Sequence, residues 1–254
     1  MKIGIVGYGQ MGKMIESVAA DKSIEYILID PFDKSADYKS VEESKDAEID
    51  VYIDFTVPAA IIDNIKKYCE LKKNVVVGTT GWYDQCDEVE KMVNKAGIGF
   101  IYSSNFSLGV NILFKIVEEA AKVIDKFDDY DIFGYELHHR KKMDSPSGTA
   151  RSIAEILVNN IQRKSIVHFE IMDRKPEANE LHFASIRAGA IPGTHVVGFD
   201  SEVDTIEIKH VARSRKGMAS GAVFAAEWLN GKKGFYTKED MMSELLNSPQ
   251  TPQK

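Results

Sequence analysis

The chain reads as α/β: a doubly wound parallel sheet, then a second α+β domain with a mixed or antiparallel sheet. Three observations predict this. Short apolar runs alternate with helical periodicity five times within the first hundred residues. Small or hydroxyl residues recur at the C-terminal ends of those runs. From Ser107 the pattern changes to two amphipathic helices interspersed with strand-like runs. At 254 residues the chain is long for one core and comfortable for two.

The first run, Lys2 to Val6, stops at Gly7-Tyr8-Gly9-Gln10-Met11-Gly12, after which Met11, Met14, Ile15 and Val18 share one helical side. This is G-x-G-x-x-G at a strand-to-helix turn. Gly7 permits the turn, Gly9 lets a pyrophosphate approach the backbone, and Gly12 lets helix pack on strand. The free N–H groups and dipole of the helix start favour phosphates. A glycine-rich turn without a ligand is the plainer alternative, and the context argues against it.

The second run, Glu25 to Ile29, ends in Asp30, near the ~20-residue offset at which an acid binds the adenosine ribose hydroxyls. The alternative is a turn residue before Pro31. The third, Ile49 to Phe55, leads through Thr56-Val57-Pro58 into a helix near Ala59 to Leu71. The fourth, Asn74 to Val77, ends in Gly78-Thr79-Thr80-Gly81, before a helix near Asp84 to Ala96. The fifth, Ile98 to Tyr102, ends in Ser103-Ser104-Asn105-Phe106. Residues 1–106 are therefore expected to form a Rossmann-type dinucleotide-binding domain, its crevice at the strand ends. A carboxylate at Asp30 accepts from a ribose diol and repels a 2′-phosphate. NADH is the expected cofactor, with NADPH tolerated through nearby Lys34.

Residues 107–213 are expected to form the second domain, for substrate binding and oligomerisation. Ser107 is placed to cap a helix carrying Val110, Leu113, Phe114, Val117, Ala121 and Ile124. Asp131 to His139 reads as a strand. If it stays extended to its end, His138 and His139 point to opposite faces. Ala150 to Ile161 is a second amphipathic helix. Strands follow at Ser165 to Met172 and Leu181 to Arg187, then a hairpin of Thr194 to Phe199 with Thr205 to Val211. The segment 214–254, with a final helix at Met218 to Leu229, is expected to return to the first domain. Helices on one face of the second sheet leave the other needing cover, so a homo-oligomer is expected.

The net charge of −7 argues against general nucleic-acid binding, which needs a basic surface to displace counterions. No stretch approaches the ~20 apolar residues of a membrane span. The N-terminal run is too short for a signal peptide. Cys69 and Cys86 follow no metal-ligand spacing and suggest no disulfide framework, so no metal is expected and a reducing, cytoplasmic location fits.

Against this acidic background, Glu136-Leu137-His138-His139-Arg140-Lys141-Lys142-Met143-Asp144-Ser145-Pro146-Ser147-Gly148-Thr149-Ala150 gathers cations and imidazoles. The Pro-Ser-Gly-Thr turn opens a helix. Ser147 and the N–H groups of Gly148 and Thr149 would then form a seat for a carboxylate. Lys142 and His139 add charge or donors, and His138 can carry a proton near neutral pH. On a polar loop between the domains, these types suit an acidic substrate that gains a hydride and a proton. Taken singly, each has a bland alternative: solvated histidines, an exposed basic loop, a helix cap.

The same fifteen residues resemble the signature of the 4-hydroxy-tetrahydrodipicolinate reductase family, also called dihydrodipicolinate reductase, which runs E-x-H-H-x-x-K-x-D-A-P-S-G-T-A. The resemblance extends to Gly7 through Gly12, Asp54-Phe55-Thr56 with Pro58, Gly78 to Gly81, Asn105-Phe106-Ser107 with Gly109, and Gly221-Ala222. It implies an NAD(P)H-dependent oxidoreductase of the diaminopimelate and lysine pathway. Such an enzyme takes 4-hydroxy-tetrahydrodipicolinate, loses water and reduces the resulting double bond to tetrahydrodipicolinate. It implies His138 and Lys142 as the acid/base pair, His139 with Gly148 and Thr149 as substrate contacts, and a homotetramer. It also implies cofactor contacts from Gly7 to Gly12, Asp30, Gly78 to Thr80 and Ser103 to Phe106. The sequence departs from the pattern at Ser145 for alanine, Pro31 for arginine, and Ser103-Ser104 for small apolar residues. Two rivals are another two-domain dehydrogenase of amino or imino acids and a dinucleotide-sensing regulator without turnover.

Overall fold

The computed structural model describes residues 1–247. Two compact units emerge: Met1–Leu108 with the segment from Arg215 onward, and Gly109–Ser214. Of the expected C-terminal segment, 214–254, Ser214 lies in the second unit and the chain from Arg215 in the first; 248–254 lie outside the described residues.

In the first unit, chain order runs β1 (Lys2–Val6), α1 (Gln10–Asp21), β2 (Glu25–Ile29), β3 (Val51–Asp54), α2 (Pro58–Leu71), β4 (Asn74–Val77), α3 (Cys86–Ala96) and β5 (Gly99–Tyr102). Alternate residues of these strands enter two different cores. Ile3, Ile5, Val51, Ile53, Val76 and Ile101 meet Ile15, Val18 and Ala19 of α1; Tyr52, Val75, Val77 and Phe100 meet Ile61, Ile65 and Tyr68 of α2 and Val89 and Val93 of α3. A strand buried on both faces has to be apolar throughout, which is why these segments read as unbroken runs rather than as alternation. Pro58 opens α2 at a position where a missing N–H costs nothing. Lys72 and Gly97, both left-handed, end α2 and α3.

The second unit holds most of α4 (Leu108–Ile124), then β6 (Asp131–His138), α5 (Gly148–Asn160), β7 (Ile166–His168), β8 (Glu180–Arg187), β9 (Thr194–Asp200) and β10 (Thr205–Val211). Its five-stranded sheet has the order β10-β9-β6-β8-β7 and is mixed: β6, β7 and β8 run parallel, while β9 is antiparallel to both β6 and β10. Leu113, Val117, Ala121 and Ile124 of α4 and Ala150, Ile153, Ala154 and Leu157 of α5 cover one face, over Ile132, Leu181, Phe183, Val197 and Phe199. Phe133, Tyr135 and Leu137 of β6 and Ile186 of β8 alternate onto the other face, where Ile186 stays 47% exposed.

The chain then returns to the first unit. Here the structure corrects the expected final helix. α6 spans Lys216–Leu229, and β11 (Gly234–Thr237) and α7 (Lys238–Asn247) follow it. β11 pairs in parallel with β5 and completes a six-stranded parallel sheet in the order β11-β5-β4-β3-β1-β2. The four residues of Gly234–Thr237 are too short a run to stand out as a strand. α6 is alanine-rich because it packs closely: a Cβ on Gly221 would lie 1.7 Å from the Phe106 carbonyl oxygen. A second correction concerns β7, which keeps only three of the eight residues expected at Ser165 to Met172. Past His168 the chain turns back on itself, and the Glu180 carboxylate ties the returning segment through Arg174 and the Glu177 N–H.

Two polar groups knit the first unit beneath its crevice. Asp54, wholly buried at the end of β3, accepts from the Thr56 N–H and hydroxyl, from Asn64 and from the Tyr68 hydroxyl at 2.8 Å. Burial pushes its carboxyl pKa up against these donors. The Asn74 side chain bonds Gly99 and the carbonyls of Leu229 and Lys232, holding the turn that delivers β11.

Candidate active site

In the second unit, strand register assembles a buried polar layer. Glu136 lies directly opposite Ser185 on β8 and His195 on β9, and His195 lies opposite His210 on β10. His210, His195, Glu136 and Ser185 thus form one rung across four strands. The next rung inward, Ile208-Val197-Gly134-Phe183, is apolar, so the helix-facing side turns from core to polar site within two residues. His138 lies two residues beyond Glu136 on the same face, opposite Arg187.

Glu136 is completely buried and is the hub. Its Oε1 accepts from the Ser147 N–H (2.9 Å), the Ser185 hydroxyl (2.8 Å) and the Arg187 guanidinium (2.7 Å). Its Oε2 accepts from the Ser147 hydroxyl and lies 3.4 Å from His195 Nε2 and 3.3 Å from His138 Nδ1. Burial alone would raise this carboxyl; donation from His195, Ser147 and Arg187 outweighs it and holds Glu136 ionised, well below the usual carboxylate range. Arg187 also donates to the Asp144 carbonyl at 2.7 Å and so pins the 139–147 loop.

The predicted residues fall around this hub as follows. β6 ends at His138, so His139 leaves the strand and its face is not dictated by strand alternation. His138 is buried, and its Nδ1 lacks an aligned hydrogen-bond partner despite the nearness of Glu136. Burial first, then the neighbouring His195, Lys142 and Arg187, pushes His138 down to about 4 against the pull of Glu136. The imidazole expected to carry a proton near neutral pH is therefore held toward its neutral form there. Lys142 pairs with Asp144 at 2.7 Å.

Ser147 is buried, and both its donors are given to Glu136 while its oxygen caps the Ala150 N–H. The carboxylate seat expected to include Ser147 is thereby narrowed to Gly148, which is exposed, and Thr149, which is half-buried. Glu136, His138 and His195 also form a group with metal-ligand geometry, but Arg187 already neutralises the carboxylate a cation would need.

Glu136, Ser185, Arg187 and His195 had no role in the sequence reading. Glu136 carried a signal, because a strand that presents His138 presents its i−2 neighbour on the same side. The other three come from strands whose pairing no local pattern reveals.

In the first unit, the parallel strands bring the glycine-rich turn, Asp30, Gly78 to Thr80 and Ser103 to Phe106 to one edge of the sheet. Gly7 has φ +88°, and a Cβ there would meet the Phe55 carbonyl at 2.7 Å; a Cβ on Gly12 would lie 2.3 Å from the Gly7 carbonyl. Gly9 has nothing within 4 Å of that position. α1 starts without a side-chain cap and without an acid in its first turn. Open space beside uncapped amides fits a pyrophosphate. The edge also lies where the strand order reverses, β2 on one side of β1 and β3 on the other.

Asp30 accepts from the backbone N–H groups of Tyr8 (2.8 Å), Phe32 (2.8 Å) and Asp33 (2.9 Å). Burial works against these donors, which prevail and keep the carboxyl below its ordinary pKa. Gly9, Gln10, Thr80 and Ser104 are exposed, while Tyr8, Met11, Gly78 and Asn105 are partly so. Thr79, Ser103 and Phe106 are buried: Thr79 bonds Asp54 and the Thr56 carbonyl, Ser103 braces Asn105, and Phe106 packs in the core. Any ligand contact from these three comes through their backbone. Among the described residues, no helix is long and apolar enough to cross a membrane.

Comparison with known proteins accords with this geometry. Residues 1–106 match the sequence model for the N-terminus of dihydrodipicolinate reductase, and 109–242 that for its C-terminus. A 4-hydroxy-tetrahydrodipicolinate reductase of Christiangramia forsetii is 37% identical over 248 residues, covering 98% of this chain and 100% of the relative. One from Methanococcus aeolicus is 39% identical over 192 residues, covering 74% and 69%. Among solved structures, dipicolinate-bound dihydrodipicolinate reductase from Paenisporosarcina sp. TG-14 shares the fold with a TM-score of 0.74 at 19% identity, over 93% of this chain and 97% of that one.

Proposed function

The chain belongs to the dihydrodipicolinate reductase family, and we propose on that footing that it reduces 4-hydroxy-tetrahydrodipicolinate, with loss of water, to tetrahydrodipicolinate. The observation that carries this reading is the buried Glu136 hub. It fixes Ser147 at the start of α5 and lies beside His138, while the Arg187 guanidinium that it binds also holds the Asp144 carbonyl of the loop carrying Lys142.

A nicotinamide cofactor supplies the hydride when bound, and this chemistry is the cofactor's own. Gly7, Gly9 and Gly12 with the start of α1 are proposed to hold its pyrophosphate. Asp30 takes the adenosine ribose, with Gly78, Thr80, Ser104 and Asn105 further along the same edge. Tyr8, Gln10 and Met11 line the turn, and Thr79, Ser103 and Phe106 contribute backbone. Asp30 uses three of its roughly four acceptor positions internally and keeps one for a ribose hydroxyl. Its charge opposes a 2′-phosphate, and Pro31 offers no cation to offset it. NADH is therefore the preferred cofactor, with NADPH accepted more weakly.

The substrate is a dianion. Gly148 and Thr149 offer it the first amides of α5, and His139 and Lys142 add donors. A neutral His138 can accept a proton or a hydrogen bond while the substrate loses water. The Lys142 ammonium, held by Asp144, then delivers the proton that completes reduction. The side of the second sheet bearing Phe133, Tyr135, Leu137 and Ile186 supports self-association into a homotetramer.

The test is to supply the condensation product of pyruvate and aspartate semialdehyde and follow NADH oxidation. Consumption with this substrate, and not with open-chain amino or imino acids, is expected. NADH binding without consumption would reject the reading.

A further inference from the structure

We propose that Glu136 is the positioning residue of this site, aiming both the first turn of α5 and the His138 imidazole at the substrate through a single anchored negative charge. The inference rests on the reductase reading and deepens it, giving the Glu136 hub of that same site a specific part in substrate binding. Three observations carry it. The carboxylate is fully buried, so its charge is retained only because Ser147, Ser185 and Arg187 satisfy it within 2.7–2.9 Å. It takes both the amide and the hydroxyl of Ser147, and so anchors the residue from which the amides of Gly148 and Thr149 follow. And it stands 3.3 Å from His138 Nδ1, without an aligned hydrogen bond, so that its negative charge favours the protonated imidazole.

His195 backs the arrangement from the neighbouring strand. Its Nε2 lies 3.3 Å from the Ser147 hydroxyl and 3.4 Å from Glu136, and its ring meets that of His138 edge-on at 5.2 Å. The charged and titratable groups facing His138 are Glu136 on its own strand, Arg187 from β8, His195 from β9 and Lys142 from the loop that follows. Glu136 is the single anion among them. When a dianionic ring binds and draws a proton onto His138, Glu136 becomes the protein's own counter-charge for the imidazolium.

The experiment compares wild type with Glu136→Gln, which keeps shape and loses charge. Binding of pyridine-2,6-dicarboxylate in the presence of NADH, NADH binding alone, and the pH profile of turnover are measured. We expect dicarboxylate affinity to fall about 10-fold or more, as for a lost charge-assisted contact. The His138 limb of the profile should move toward acid by about one pH unit. NADH affinity should be unchanged, because its site lies on the other unit. Unaltered dicarboxylate affinity with an unmoved limb overturns the proposal, even if the melting temperature drops, since that pattern is structural only. Should Glu136→Gln fail to fold, His195→Asn decides: a smaller loss of dicarboxylate affinity supports the proposal and wild-type affinity overturns it. Because dicarboxylate binding needs no turnover, an inactive wild type would reject the assigned reaction and leave this measurement readable.

Discussion

The Asp30 carboxylate receives the Tyr8 N–H at 2.8 Å, so the acid at the end of β2 is tied directly into the glycine-rich turn after β1. The group proposed to read the ribose also shapes the loop proposed to cradle the phosphates. Asp30→Ala should therefore weaken NADH binding through both routes, by about 10- to 150-fold for a lost hydrogen bond to a charged group. It should weaken NADPH less, because the repulsion of a 2′-phosphate is removed at the same time. Fluorescence titration with each cofactor reads the ratio, and an unchanged preference would show that Asp30 serves the turn alone.

Lys142→Ala should lower turnover about 10²–10⁴-fold, the usual worth of a positioned proton donor, with little change in NADH affinity. Arg140, exposed two residues earlier, should tolerate alanine with nearly full activity. Steady-state kinetics on the two variants separates a proton donor from general basic character in the loop.

Burial lowers His138 from its ordinary 6.5 to about 4, which couples its titration to folding. Between those values the unfolded chain binds a proton that the folded chain refuses, so stability falls as pH drops from about 6.5 toward 4. His138→Asn should flatten this part of the stability–pH curve. Thermal unfolding in matched buffers across that window is the measurement, and an undiminished slope in the variant would place the effect elsewhere.

Tyr68→Phe should destabilise the first unit by about 1–3 kcal/mol, since it removes one donor from the buried Asp54 and leaves nothing in exchange. Urea unfolding gives the number. Gly221→Ala should be at least as costly, because the added methyl meets the Phe106 carbonyl rather than a side chain that can swing aside.

The parts legible in the sequence were those governed by local rules. β2, β4 and β10 fall within the runs read for them, because a doubly buried strand and a hairpin both announce themselves in a few residues. β11 was missed because four residues carry no period, and β7 was overextended because hydropathy does not show where an edge strand peels away. The site divides in the same manner. The His-His-to-Thr stretch is contiguous and therefore visible, whereas Arg187 and His195 reach Glu136 through cross-strand register, a property of the folded sheet alone. Ser147 shows the same limit: its type suits an anion seat, and only the folded sheet shows that its N–H and hydroxyl both donate to an internal carboxylate.

The interruption of the first unit has a consequence for synthesis. β5 borders β4 on one side, but its other neighbour, β11, is encoded only after the entire second unit. Some 130 residues at ~5–20 per second separate them, so on the ribosome β5 waits roughly 6–26 s as a raw edge, a template for pairing with a stray strand. Nascent chains stalled between Tyr102 and Gly234 would carry that hazard, and a chaperone that shields the edge during translation would raise yield without altering the finished enzyme.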